Sequence, residues 1–178
     1  MNQFLETTKM IKEALNAVRA YFNTVYWFEI KKKVKFPKNI PEKLIIIKSY
    51  RDVEKKKLKN YFAYFPFKIN RLKKNFYFLV LTSKNSRKIL CSGWLYKGKS
   101  WKITEVNKEV KVNNMLLLFD FLTPEKQRNR GYYKKILKLI VNKYSGRKMA
   151  IYSLSNNIKS LKAIGKAGFK LKRKINGI

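Results

Sequence analysis

The chain contains no histidine. That absence excludes histidine-based nucleophilic triads and most catalytic zinc sites. There is one cysteine, Cys91, so no disulfide can close within the chain. Its apolar, strand-like surroundings predict a buried, inert thiol. Proline is scarce, and Pro37 and Pro41 mark the one proline-rich break. The N-terminus lacks the charged-then-apolar pattern and small-residue cleavage site of a secretory signal. A cytoplasmic location is expected by default, with peripheral contact at the inner face of a membrane as an extension of it. Acids are scarce: Asp and Glu number 10 against 43 Lys and Arg, a net charge of +33. Such a field attracts nucleic acid, anionic lipid and phosphorylated small molecules alike. The cations are mostly lysine, spread along the chain beside abundant Ile, Asn, Phe and Tyr. AT-rich coding would produce that mix but would not deplete Asp and Glu. An anionic partner, membrane lipid or RNA, is therefore expected on the basic face.

What is present supports a folded domain. Over 178 residues, 46% are hydrophobic and 15% aromatic, enough to build a core. The break at 37–41 divides a helix-plus-strand extension, residues 1–40, from a main domain, residues 41–178. Within 8–22, Met10, Ile11, Ala14, Leu15, Val18, Tyr21 and Phe22 share one helical face, with Lys9, Lys12, Glu13, Asn16 and Arg19 opposite. Such a helix is expected to pack on the domain. The other reading is a basic amphipathic foot on an anionic membrane. Residues 25–30 form a short strand or a connection. Strands are predicted at 44–49, 76–82 and 88–96, and 101–106 is expected to pair back on 88–96 after a turn at Gly98. A helix is predicted at 51–64, with Val53, Leu58, Tyr61 and Phe62 inward.

The central stretch is 115–141. Its apolar run, 115–122, fits a strand and is too short to cross a membrane. Thr123 and Pro124 end it, because proline cannot donate to a ladder. A basic loop, 126–130, leads to Gly131. Tyr133, Ile136, Leu137, Ile140 and Val141 then recur at helical spacing. A strand, a glycine-containing basic loop and a helix aim free N–H groups and the positive helix end above the loop. That terminus suits an anion, usually phosphate. The plain alternative is a surface connection without a ligand. Beyond it, 148–154 reads as a strand, 157–167 as a helix capped by Gly168, and 169–175 as extended.

Two segments together resemble the GNAT acetyltransferase superfamily. Arg128-Asn-Arg-Gly131-Tyr-Tyr133, following Thr123-Pro124, is similar to its coenzyme A loop, Arg/Gln-x-x-Gly-x-Gly/Ala. Asn157-Ile-Lys-Ser160-Leu-Lys-Ala163-Ile-Gly-Lys166-Ala-Gly168-Phe169 is similar to its second motif. Leu44-Ile-Ile-Ile-Lys-Ser-Tyr-Arg-Asp52 resembles its opening strand and helix start, so the likeness runs over about 44–174. Ile103-Thr-Glu-Val and Phe119-Asp-Phe look most like small acyltransferases of surface-polysaccharide gene clusters.

The resemblance implies an α/β (α+β) fold. Its mixed, mostly antiparallel sheet is splayed between its fourth and fifth strands and flanked by helices. It implies acetyl-CoA as co-substrate and no metal. Phe119, Phe121 and Leu122 would lie along the pantetheine arm, taken in as a false strand. Gln127, Arg128, Asn129, Arg130, Gly131, Tyr132 and Tyr133 would take the pyrophosphate. Asn157 and Ser160 would orient the pantetheine or acyl end, and a strand-four N–H would hold the developing oxyanion.

Departures are visible: Tyr133 replaces the second Gly/Ala, the loop after Pro124 is one residue longer than usual, and little chain remains for the last hairpin. The 25–30 segment is a candidate to fill that sheet edge. Ile164 stands where many members carry a tyrosine that protonates the thiolate. Ser160, Tyr152, Ser155 or water would have to serve.

An amine acceptor needs a general base. The acids after Glu54 are Glu105, Glu109, Asp120 and Glu125. Strict alternation puts Asp120 on the face of Leu116, Leu118 and Leu122, where burial would raise its pKa. Glu105 shares the face of Trp101 and Ile103. Asp120 is the preferred base, with Glu105 second and a structural acid as the plain alternative. Trp94, Tyr96 and Trp101 line an acceptor pocket or simply pack in the core.

The leading function is acetyl transfer from acetyl-CoA to a primary amine on a small-molecule acceptor, with an amino-sugar nucleotide as the candidate. The alternatives are acetylation of an RNA-borne amine, and a non-catalytic nucleic-acid- or membrane-binding protein on the same fold. A homodimer is compatible with each.

Overall fold

The computed structural model describes residues 6–8, 10–11, 14–15, 18, 21–31, 41–49, 51–52, 71–72, 75–84 and 88–177. The strands are β1 (Thr24–Ile30), β2 (Lys43–Ile47), β3 (Phe76–Thr82), β4 (Ile89–Tyr96), β5 (Ser100–Ile103), β6 (Lys108–Lys111), β7 (Leu116–Leu122), β8 (Met149–Leu154) and β9 (Lys170–Asn176). Two helices follow β7 and β8: α1 (Tyr132–Lys143) and α2 (Ile158–Lys166). The helix predicted at 51–64 lies outside the described residues beyond its start. That start is a reciprocal cap: Ser49 Oγ accepts from the Asp52 N–H at 3.3 Å, and Asp52 accepts from the Ser49 N–H at 3.3 Å.

Seven strands form the main sheet in the order β2-β3-β4-β7-β8-β1-β9. Neighbours are antiparallel except β7 and β8, which run parallel. Aromatic and branched residues fill β3, whose interior positions pack on both faces. On one face Leu79, Leu95, Leu116, Leu118 and Ile151 meet Ile136, Leu137 and Ile140 of α1 and Ile164 of α2. Burying each such side chain contributes about 1.5–3 kcal/mol. The other face carries Trp27, Leu117, Phe78, Trp94 and Phe119. A Schellman turn closes α2: the Phe169 N–H reaches Ile164 O at 3.4 Å, and the Gly168 N–H reaches Gly165 O at 2.9 Å. It requires Gly168 at φ 95° and ends with Phe169 in the core.

Three expectations change. The residues after Gly98 do not pair back on β4: β5 pairs with β6 in a separate two-stranded sheet. That strand ends at Ile103, where residues 104–106 tighten into a 3-10 turn. The 25–30 segment lies one strand inside the edge, between β8 and β9. It supplies from the N-terminal side the partner that the shortened last hairpin lacks. Finally, among the described residues of the N-terminal apolar face, Met10, Ile11, Leu15, Val18, Tyr21 and Phe22 are exposed and not packed on the domain as expected.

Candidate functional site

β7 and β8 pair at Leu116↔Met149, Leu117↔Ala150 and Leu118↔Ile151, and part beyond that point. Phe119–Leu122 and Tyr152–Leu154 diverge as the two arms of a wedge. The cause lies on the β4 side. There Ser92 pairs with Leu122 and Trp94 with Phe119, so β7 spends one residue more than β4 over the same span. This is a β-bulge, and Asp120 sits in it at φ 49°. A bulge bends and twists its strand, which carries the end of β7 away from β8. Gly93 lies opposite, and the Phe121 ring covers it so closely that no Cβ fits. Phe121 then packs on Tyr133, ring centroids 5.3 Å apart.

The wedge holds a cavity of about 160 Å³, lined by Glu105, Phe119, Asp120, Phe121, Tyr152, Ser153, Leu154, Asn157 and Ser160 among others. Phe121, Tyr133 and Ser160 also line a second, larger groove of about 620 Å³, so the two adjoin across these side chains. This groove runs over the loop and the start of α1. Asn129 at φ 63° and Gly131 at φ 75° give that loop alternating left-handed turns, a geometry that gathers backbone N–H groups into a concavity. The first-turn amides of α1 add to it, having no carbonyl in a preceding turn. A Cβ on Gly131 would meet nothing within 4 Å, so it is φ, not space, that favours glycine there.

Leu122, Gln127, Arg128, Asn129, Gly131, Tyr132, Tyr133 and Ser160 all line this groove. Gln127 is buried, while Arg128 is exposed and its Nε donates to Thr123 O at 3.4 Å. Arg130 is exposed and does not line this groove. Asn157 Oδ1 accepts from the Ser160 N–H at 3.2 Å, which commits the carbonyl half of that amide to capping α2.

Sequence reasoning missed Lys134, Lys159, Lys162 and Lys166, which also line the groove. The signal was present: 159, 162 and 166 fall on one helical face, away from buried Ile164. Among the described residues, that lining carries five cations and no carboxylate.

On the opposite side of the sheet the expected burial of Asp120 is corrected. The bulge breaks the alternation, so Asp120 turns from the helix side toward Phe119 and Tyr152. It is exposed and ion-paired with Arg71, Nη1 to Oδ2 2.6 Å. The Arg71 guanidinium lies over the rings of Phe119 and Trp94, at 5.6 and 6.0 Å. Glu105 is not on a strand face beside Ile103; it sits in the 3-10 turn, half-buried, and accepts from Thr104 Oγ1 at 3.2 Å. Tyr152 projects between them, and Trp101 Nε1 donates to its oxygen at 3.2 Å. Burial first, then the Glu105 and Asp120 carboxylates, push the Tyr152 phenol well above its ordinary range. Tyr133 is raised as well, by burial and the nearby Cys91. Trp94 is core, whereas Trp101 and Tyr96 are half-buried beside Phe119. Ile164 is fully buried among the core residues and brings no hydroxyl to the wedge.

No family model and no curated protein matches the chain. Solved structures do. A GCN5-related N-acetyltransferase from Sphaerobacter thermophilus matches with TM-score 0.53 at 9% identity, over 86% of this chain and 50% of that one. A GCN5-related N-acetyltransferase-like protein from Streptococcus suis matches with TM-score 0.51 at 11% identity, over 92% of this chain and 64% of that one. A conserved protein of unknown function from Staphylococcus epidermidis gives TM-score 0.60 at 8% identity, over 86% and 59%. The chain thus spans between half and two-thirds of the length of these three structures. The fold is that of the GNAT acyltransferases: a large, mostly antiparallel sheet flanked by helices, open between β7 and β8.

Proposed function

We propose that the chain is an acetyl-CoA-dependent N-acetyltransferase acting on a primary amine. The observation that carries this reading is the wedge beyond Leu118 and Ile151, adjoining a cationic groove over the start of α1. The fit to coenzyme A is chemical. Unpaired strand groups suit the amides of a pantetheine arm. The loop concavity suits a diphosphate, and Arg128, Lys134, Lys159, Lys162 and Lys166 suit its remaining phosphate. When bound, acetyl-CoA supplies an activated thioester. No metal is invoked.

The chain's own groups then divide the work. Glu105 and Asp120 hold the acceptor ammonium, a cation that the net field of this protein otherwise repels. Glu105 takes the proton, because the Asp120 carboxylate is already ion-paired with the Arg71 guanidinium. Tyr152, held protonated, donates a hydrogen bond to developing thiolate. Its raised pKa makes complete transfer uphill, so the last proton comes from the acceptor or water. Among acceptors, an amino-sugar nucleotide combines the required amine with a negative charge. The second reading, an RNA-borne amine, is favoured by the exposed edge strand with Lys170, Lys172, Arg173 and Lys174.

Titration calorimetry with acetyl-CoA tests the reading. The wild-type chain binds at moderate salt, and Arg128→Glu with Lys162→Glu weakens binding by about tenfold or more. Absence of wild-type binding overturns it. A thiol-release screen over amino-sugar nucleotides and aminoacylated RNA then separates the two acceptors.

A further inference from the structure

The N-terminal segment leaves an apolar stripe in water. Met10, Ile11, Leu15, Val18, Tyr21 and Phe22 are helical and 54–79% exposed. Their spacing places them on one face. The segment is also anchored: Asn23 donates to Glu105 O at 3.0 Å, and Thr24 begins the strand inserted between β8 and β9. A stripe of this kind costs about 25 cal/mol per Å² while exposed, so a cover is expected.

Charge decides among the covers. A second copy offers a matching stripe but brings another +33, and the two fields repel. Nucleic acid satisfies the charge, but its phosphates are met by Lys and Arg and leave aliphatic side chains unburied. An anionic bilayer satisfies both. Apolar side chains enter the acyl boundary, while lysines stay among the headgroups. Among the described residues no helix is long and apolar enough to cross a membrane, so a docked segment would lie along the surface. We infer that this amphipathic segment docks the protein on an anionic lipid surface, with its apolar stripe in the acyl boundary. The inference is independent of the proposed acetyl transfer.

Co-sedimentation of the full chain with vesicles tests it. The expected result is binding to equimolar phosphatidylglycerol and phosphatidylcholine, and at least tenfold weaker binding to phosphatidylcholine alone. Leu15→Ser with Val18→Ser lowers partitioning by about a hundredfold without adding negative charge. The Tm and far-ultraviolet circular dichroism of the same variant match the wild type, which shows that it folds. In a second measurement, a Phe22→Trp variant is quenched by bromine-labelled acyl chains. Wild-type partitioning by the serine variant, or no quenching of Phe22→Trp, overturns the inference. So does a dimer in sedimentation velocity that the serine variant abolishes, because the cover is then a second copy.

Discussion

Gly93→Ala tests the origin of the wedge. The added methyl carbon would stand 2.4, 2.5 and 2.7 Å from Cδ1, Cε1 and Cγ of Phe121. Ordinary carbon contacts lie at about 3.5–4.0 Å, so three ring atoms overlap by about 1 Å. The ring has little room to retreat, because Tyr133 packs against it with centroids 5.3 Å apart. Overpacking of this kind costs about 1–3 kcal/mol. For a chain of this size that lowers Tm by about 2–12 °C. Affinity for acetyl-CoA should fall as well, because Phe121 lines both the wedge and the groove. Adding Phe121→Leu to Gly93→Ala should recover part of the loss, with a coupling of about 1 kcal/mol or more. Thermal unfolding and calorimetry on the four proteins of the cycle measure both effects. If Gly93→Ala melts and binds as wild type does, the contact between Gly93 and Phe121 does not hold the wedge, and the reasoning fails.

Glu105→Gln should lower kcat by about 10²–10³-fold with little change in KM for acetyl-CoA, while Asp120→Asn should cost less than about tenfold. Steady-state kinetics giving the reverse ranking would reassign the base. Glu29 yields a pH signature. Burial acts to raise its pKa, but Trp27 Nε1 at 3.0 Å and Lys148 Nζ at 3.1 Å outweigh it, and the net shift is downward from 4.5. A depressed carboxylate stabilises the fold fully above its unfolded pKa and loses that contribution as the pH falls through the folded value. Glu29→Gln should therefore flatten the acid limb of stability, and parallel limbs in the two proteins would contradict this. Burial pushes Cys91 up to about 12, so the native chain should resist iodoacetamide at mildly alkaline pH and react once unfolded.

Much of the site's framework was legible in the sequence because it is local. The strand at 116–122, the loop to Gly131 and the apolar face of α1 follow from side-chain period and from glycine and proline chemistry. The Asn157 cap and the Gly168 turn are local in the same way. Asp120 was misplaced because strict alternation holds only for an unbroken strand, and one extra residue reverses it. The lysines of α2 were missed because charge on a helix face ordinarily means solvent. Only the opposing strand and loop make Lys159, Lys162 and Lys166 the wall of a groove. Arg71 carried no signal, its partner Asp120 lying 49 residues away.

By itself the sequence determined most of the strands and helices in their order, the buried face of α1, the buried thiol and the strand, glycine-containing loop and helix of the central stretch. Tertiary structure alone decided that residues 24–30 enter the sheet beside β8, that β7 bulges against Gly93, and that the N-terminal apolar face stays bare. The physical reason is range: propensity, capping and periodicity act within a few residues, whereas strand partners and the walls of a cleft are settled by contacts between segments far apart in the chain.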